Sequence, residues 1–348
     1  MTQFIWPTPA AQLRCDKKWP ETDDTISLQL SPINNDSDNN QSFDFKPGQF
    51  ISLGVELNGK MEYRAYSISS IPNQDFLQLT IKRVDGGKVS NYLIDKFNEG
   101  DSILALAPTG PFNSVDCISK PKIALLSAGC GITPVMSMAR TWLSNNANVD
   151  ITFIHMARSP EHTIYFDELQ YLNEKHTNFN LQLLLKEPQY TDYPQGRLDQ
   201  EWLTTLCPDL TERTVFLCGP TGFMQDMKTY VEAMGLDMDN FYQESFTPIE
   251  PEVSETDDTS GVVKFEVPAF GVSREIDKGA TLADVLEESG VPIIIACRSG
   301  MCGSCKCKVE KGEVSRTSTE TLSEEDIAQG YTLACSSQVQ SDVEVSLI

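Results

Sequence analysis

Five cysteines crowd into the last 52 residues of this chain, and four of them carry a spacing that few folds accommodate. Cys297, Cys302 and Cys305 form C-x4-C-x2-C, and Cys335 follows at a distance. This is the ligand spacing of a plant-type [2Fe–2S] cluster. Thiolates must converge on two irons from one tight turn, and Gly300 and Gly303 let backbone amides approach the cluster sulfurs. A structural zinc site pairs two short C-x2-C arms, and only one such arm exists here. Cys307 lies just past the turn and reads as a packing residue on the following strand.

The other five cysteines, Cys15, Cys117, Cys130, Cys207 and Cys218, are scattered. The chain has 348 residues, and at roughly 150 residues per domain that predicts two or three domains. Lys and Arg number 27 against 50 Asp and Glu, a net charge of −23. Such an acid excess repels phosphate backbones, which argues against nucleic acid and anionic membrane surfaces as partners. No apolar run approaches the ~20 residues needed to span a bilayer, and Met1 to Gln12 shows no signal-peptide pattern. The expectation is a soluble, cytoplasmic protein, where clustered thiols mean a metal centre rather than disulfides.

The first hundred residues read as short strands. Ile26–Leu30, Phe50–Val55, Tyr66–Ile68 and Phe76–Lys82 are separated by Gly, Pro and Asn clusters, which predicts an antiparallel barrel. Ser31 to Gln41, rich in Asn and Asp, reads as a hairpin loop. From Lys122 the rhythm changes. Ile123–Leu126, Asp150–His155, Leu181–Leu185 and Val215–Cys218 are buried-strand patterns, with helical spacing at Pro134–Leu143, Phe166–Lys175 and Phe223–Met234. Strands alternating with helices imply a parallel sheet with crossovers. Pro248 to Gly261, with five acids and little to bury, reads as a linker before a third unit. The predicted domains are therefore 1–117, 118–247 and 262–348, joined by the 248–261 linker.

Three further motifs carry chemistry. Arg64-Ala-Tyr66-Ser67 on a barrel strand supplies a cation for phosphate, an aromatic face for a flat ring and a hydroxyl donor. Gly86-Gly87-Lys88-Val89-Ser90 is a Gly-rich turn opening a helix, suited to holding a diphosphate on backbone N–H groups. Ala128-Gly129-Cys130-Gly131-Ile132-Thr133-Pro134 follows a strand. Thr133 reads as the N-cap and Pro134 as the first helical residue of the next helix. Cys218-Gly219-Pro220 repeats that strand–turn–helix geometry. In an open parallel sheet both turns lie at the carboxyl ends of strands, where ligands bind. His155, His162 and His176 show no mutual spacing and read as surface or sheet-end residues. For Glu244, spacing alone leaves open a solvated acid or an active-site carboxylate.

With these motifs assembled, the chain resembles the ferredoxin–NADP reductase superfamily, in the branch carrying a C-terminal plant-type ferredoxin domain. The supporting stretches are Arg64–Ser70, Ala128–Pro134, Cys218–Pro220, Ala296–Cys305 and Glu325–Cys335. The resemblance implies an antiparallel β-barrel FAD domain, an α/β parallel-sheet NAD domain and an α+β (β-grasp) ferredoxin domain. It implies that Arg64 binds the FAD pyrophosphate, that Tyr66 stacks on the flavin and that Ser67 lies near its N5. Gly87, Lys88, Val89 and Ser90 complete the phosphate cradle. Gly129, Gly131, Thr133, Pro134, Gly219 and Pro220 shape the dinucleotide site, with Cys218 and Glu244 flanking the nicotinamide.

The implied activity is hydride transfer from NADH to FAD, followed by single electrons leaving through the [2Fe–2S] cluster held by Cys297, Cys302, Cys305 and Cys335. The acceptor implied first is hybrid-cluster protein; reductases of Rieske-type monooxygenases share all four motifs. A non-catalytic redox relay or sensor is a reading of another class, and the intact nicotinamide-site motifs weigh against it. Coenzyme preference divides the two lines of argument. The strand ending at His155 is followed by Ala157-Arg158-Ser159, with no acid for a ribose hydroxyl and an arginine suited to a 2′-phosphate. The resemblance implies NADH nonetheless.

Overall fold

A computed structural model describes residues 2–33, 41–246 and 261–347. Residues 34–40 of the Asn-rich loop, Thr247, and 248–260 of the expected 248–261 linker lie outside the described residues. The chain divides into two compact units, Met1–Phe246 and Thr247–Ile348. The barrel and the parallel sheet belong to the first.

Six antiparallel strands build the barrel, in the spatial order Lys60–Ser67, Phe50–Leu57, Ser102–Ala105, Ala11–Thr22, Thr25–Pro32, Leu77–Lys82. A bridge between Ile68 and Leu79 joins the two outer strands, so the sheet curls back on itself. Alternation of apolar and polar residues sends Leu13, Leu28, Leu30, Ile51, Leu53, Leu77 and Leu79 into one core. The Gly-rich turn opens a helix, Lys88–Asp95, as expected, with Gly87 at its N-cap.

Five parallel strands follow, in the order Phe179–Leu185, Asp150–Ala157, Lys122–Ala128, Thr214–Cys218, Phe241–Glu244. The chain starts in the centre, fills one side, then crosses to the other. The switch point therefore falls between Lys122–Ala128 and Thr214–Cys218, where such folds bind ligands. Both faces are covered. Leu125, Phe153, Leu183 and Phe216 pack under one layer of helix, and Leu126, Ile154, Leu184 and Leu217 under the other.

The second unit holds a mixed five-stranded sheet, ordered Val272–Asp277, Val262–Val267, Val343–Leu347, Lys306–Lys311, Tyr331–Leu333. The Val262–Val267 and Val343–Leu347 strands run parallel and the other pairs antiparallel. Leu282, Val285 and Leu286 of the helix Leu282–Glu288 join the core of this sheet. This is the α+β architecture expected, and Cys307 is buried in its core on the strand Lys306–Lys311.

One local expectation is corrected. The helix after the first parallel strand spans Ile132–Ser144, and Gly131 is its N-cap, not Thr133. A short 3-10 turn, Gly129–Gly131, winds the chain before the helix begins. Thr133 Oγ1 donates to Cys130 O at 3.0 Å instead of capping an N–H. Pro134 thus sits third in the helix, where its missing N–H costs nothing, because the first turn has no intrahelical acceptors.

Candidate functional site

A cleft of about 630 Å³ opens between the barrel and the parallel-sheet layer of the first unit. Arg64, Tyr66, Ser67, Gly87, Lys88, Val89, Ser90 and Thr133 all line it, so three separate motifs converge on one space. Sequence reasoning missed Thr80, Lys82, Cys130 and Phe246, which line the same cleft. Cys130 stood in plain view inside its Gly-Cys-Gly motif. Glu62 was missed as well: its carboxylate pairs with Lys88 at 2.8 Å and lies 3.8 Å from Arg64. The two cations expected to hold phosphate are thus gathered around one anionic group, which shows that their side chains can meet at a shared charge.

Gly129, Gly131, Gly219 and Pro220 are not in the wall of that cleft but make the paired turns at the switch point. Gly131 allows the turns to touch, since a Cβ there would lie 2.2 Å from Cys218 O. Pro134 is buried behind them in the helix, and Pro220 caps the helix Thr221–Ala233.

Across the carboxyl ends of the strands runs a row of residues in register. His155 is opposite Ser127, Ser127 opposite Cys218, and Cys218 opposite Glu244. All four are buried. Ser67 reaches the end of this row from the barrel: its hydroxyl lies near enough to Glu244 to offset part of the burial effect, without closing a hydrogen bond. Among the described residues, Ser67 Oγ and both carboxyl oxygens of Glu244 have no hydrogen-bond partner, although all are fully buried. Native folds rarely strand polar atoms this way, and three together at a ligand-binding position mark a place shaped for something else. Burial pushes the Glu244 carboxyl up to about 8, so it holds its proton at neutral pH. Burial, then the Glu244 charge, pushes the Cys218 thiol well above its usual range. The site therefore offers a neutral carboxyl, a neutral thiol and a free hydroxyl.

Of the two places expected for His155, it takes the sheet end and not the surface. It is fully buried, its Nδ1 shares a hydrogen bond with Ser127 Oγ at 2.8 Å, and among the described residues its Nε2 has no partner. Burial drives its pKa down to about 3, so the ring stays neutral.

In the second unit the four expected cysteines come together. Cys305 Sγ and Cys335 Sγ lie 3.3 Å apart, and Cys297 interacts with both Cys302 and Cys335. Backbone amides already point at sulfur: Ser299 N donates to Cys297 Sγ at 3.4 Å, and Cys335 N to Cys305 Sγ at 3.5 Å. Gly300 takes a positive φ of 74°, and a Cβ there would sit 2.5 Å from that of Ser318. Arg298, also at positive φ, anchors the loop to Asp284 at 3.0 Å and to Glu287. Among the described residues no three ligating groups converge where a single ion would sit. A two-iron centre takes two thiolates per iron and needs no such convergence. The residues present fit both groups that the motifs imply: a flavin dinucleotide in the cleft and a [2Fe–2S] cluster on the loop.

Comparison with known proteins agrees in each part of the chain. Residues 22–114 match an oxidoreductase FAD-binding domain, 125–229 an oxidoreductase NAD-binding domain, and 267–340 a 2Fe-2S iron-sulfur cluster binding domain. The glycine betaine monooxygenase reductase subunit of Pseudomonas aeruginosa is 36% identical over 99% of this chain and 97% of its own. The NADH oxidoreductase HCR of Escherichia coli is 35% identical, covering 86% of this chain and 88% of its own. The chain belongs to the ferredoxin–NADP reductase superfamily, in the branch with a [2Fe–2S] domain. Its fold is also that of phthalate dioxygenase reductase, with a TM-score of 0.63 at 22% identity over 97% of this chain and 98% of that one. It is an oxidoreductase whose cofactors are FAD, NADH and a [2Fe–2S] cluster, and it passes electrons onward to a redox acceptor. Among the described residues no helix is long and apolar enough to cross a membrane.

Proposed function

We propose that this reductase is the electron-donating component of a Rieske-type oxygenase. The observation that carries this reading is coverage: the monooxygenase reductase subunit matches 99% of this chain and 97% of its own length, ferredoxin region included. The resemblance implied hybrid-cluster protein first, and the likeness to the NADH oxidoreductase HCR, over 86% of this chain, keeps that acceptor as the second reading. The ten free cysteines suit a reducing compartment, and we place the protein in the cytoplasm.

When bound, FAD accepts hydride and releases electrons singly, and the cluster carries one electron at a time. The chain's own residues do the rest. Arg64 and Lys88, with the backbone N–H groups of Lys88, Val89 and Ser90 at the helix start, hold the diphosphate. Tyr66 offers its face to the flavin ring. Ser67 donates from its free hydroxyl, and Glu244, protonated at neutral pH, supplies a second buried donor beside Cys218. The turns Gly129–Pro134 and Cys218–Pro220 seat the dinucleotide, with Gly131 keeping the two turns in contact. Cys297, Cys302, Cys305 and Cys335 hold the irons. The domain bounds we propose are 1–117, 118–247 and 262–348, with 248–261 as the linker.

Two measurements test this. Anaerobic NADH added to the holoenzyme is expected to bleach the flavin within the mixing time of a stopped-flow instrument; no bleaching would support a relay without turnover. Titrating the reduced enzyme with purified acceptors is expected to favour a Rieske oxygenase. Preferential reduction of hybrid-cluster protein would transfer the function to the second reading.

A further inference from the structure

We propose that Glu187 selects NADH over NADPH in this enzyme, resting on the nucleotide site proposed above. In a sheet of this order the adenosine ribose belongs at the carboxyl end of the strand beside the first one, which is Asp150–Ala157. Read as sequence, that end carries only Arg158 and invites a 2′-phosphate. The fold changes its chemistry. Glu187, just past the neighbouring strand Phe179–Leu185, pairs with Arg158, Oε1 to Nε at 3.4 Å.

Glu187 is not on a loose loop. Its N–H donates to Arg158 O at 2.7 Å, and Lys186 N–H donates to Ala157 O at 3.1 Å. Gln195 Nε2 donates to Lys186 O at 3.0 Å, and Leu185 bridges Gln195, so the segment is stitched on both sides. Both charged side chains remain open to solvent, 62% for Arg158 and 47% for Glu187, so a ligand can reach them.

An exposed ion pair of this length adds little stability. Its consequence is for recognition. A carboxylate accepts from the ribose 2′-hydroxyl, opposes a 2′-phosphate by like charge, and occupies the arginine that would otherwise bind that phosphate. The acid that nucleotide-binding sheets draw from the second strand's end is here drawn from the third.

Calorimetric binding to the full-length holoenzyme tests this with two probes that differ only in the 2′-phosphate, adenosine 5′-monophosphate and adenosine 2′,5′-bisphosphate. In Glu187→Gln the bisphosphate is expected to bind on the order of tenfold more tightly than to wild type, with the monophosphate equal or weaker. Adding Arg158→Gln to that variant is expected to cancel the gain. Lys186, adjacent in the chain, is common to all three proteins and drops out of the comparison. Unchanged bisphosphate binding in Glu187→Gln, with the monophosphate still bound, overturns this inference alone. Failure of wild type to bind the monophosphate at all overturns the nucleotide site and this inference together.

Discussion

Glu244 is the residue whose chemistry departs furthest from what its side chain does in water. Its carboxyl titrates near 4.5 in an unfolded chain and at about 8 when buried, so the native state holds a proton that the unfolded state has lost. The sign follows. Stability linked to this group is complete below pH 4.5 and declines as pH rises towards 8, by about 1.4 kcal/mol at most per pH unit. Glu244→Gln keeps the shape and neutrality of the protonated acid but cannot titrate. The denaturation midpoint of the holoenzyme is expected to fall between pH 5 and 9 in wild type, and by less in the variant; parallel profiles would show that Glu244 does not titrate as described. None of this was legible from Tyr242-Gln-Glu-Ser-Phe246, where spacing left a solvated acid equally open. Burial came from the strand Phe241–Glu244 lying beside Cys218, a contact between segments far apart in sequence. The pairing of Glu187 with Arg158 was hidden for the same reason. The approach of Cys297, Cys302 and Cys305 to one another was legible because all three lie within one turn and the geometry that gathers them is local.

At the amino ends of the parallel strands, one side chain staples the sheet. Arg213 is nearly buried and donates to Asp209 Oδ1 at 2.7 Å, to Asp150 Oδ1 at 3.2 Å, and to the carbonyls of Ile123 and Asp150 at 3.2 and 3.1 Å. Standing just before Thr214–Cys218, it joins the starts of Lys122–Ala128 and Asp150–Ala157 to that strand. The hydrogen bond from Arg213, helped by Lys122, holds the Asp209 carboxyl down at about 2. That contribution is present above pH 3.8 and disappears as pH falls towards 2. Arg213→Met is expected to cost about 1–3 kcal/mol at pH 7, because it removes a buried donor from the carbonyls of Ile123 and Asp150. It should also flatten the acid limb of melting temperature against pH between 4 and 2; an acid limb as steep as in wild type would assign that stability elsewhere. The strands and helices themselves were readable from periodicity, but their ends were not. The helix at Ile132 starts before Thr133 because a 3-10 turn winds the chain first, and no capping residue announces it. Nor did pattern reveal that Arg140 of this helix donates to Ser69 O of the barrel at 2.5 Å and pairs with Glu168.

The order of the modules was legible throughout because each carries a motif whose parts sit close together: Arg64–Ser67, Gly129–Pro134 and Cys297–Cys305. The division into units has a consequence for how the activities separate. Among the described residues, the cores of the first unit draw none from beyond Phe246, and the core of the second, from Phe265 to Val345, draws none from the first. Cys335 belongs to the second unit, with its sulfur against Cys305. Every residue assigned to flavin and nicotinamide, from Arg64 to Glu244, belongs to the first. Cys335→Ser is therefore expected to strip iron and sulfide from the purified protein while leaving flavin content unchanged. NADH-dependent reduction of ferricyanide, a small acceptor able to take electrons without docking at the cluster, is expected to stay within about twofold of wild type, since units with separate cores respond independently to distant substitutions. Reduction of the protein acceptor is expected to collapse by at least tenfold. Iron analysis beside both assays decides the matter. Acceptor reduction that survives in an iron-free variant would mean that electrons bypass the second unit. Ferricyanide reduction lost from a flavin-loaded variant would mean that the first unit relies on the second for its own chemistry.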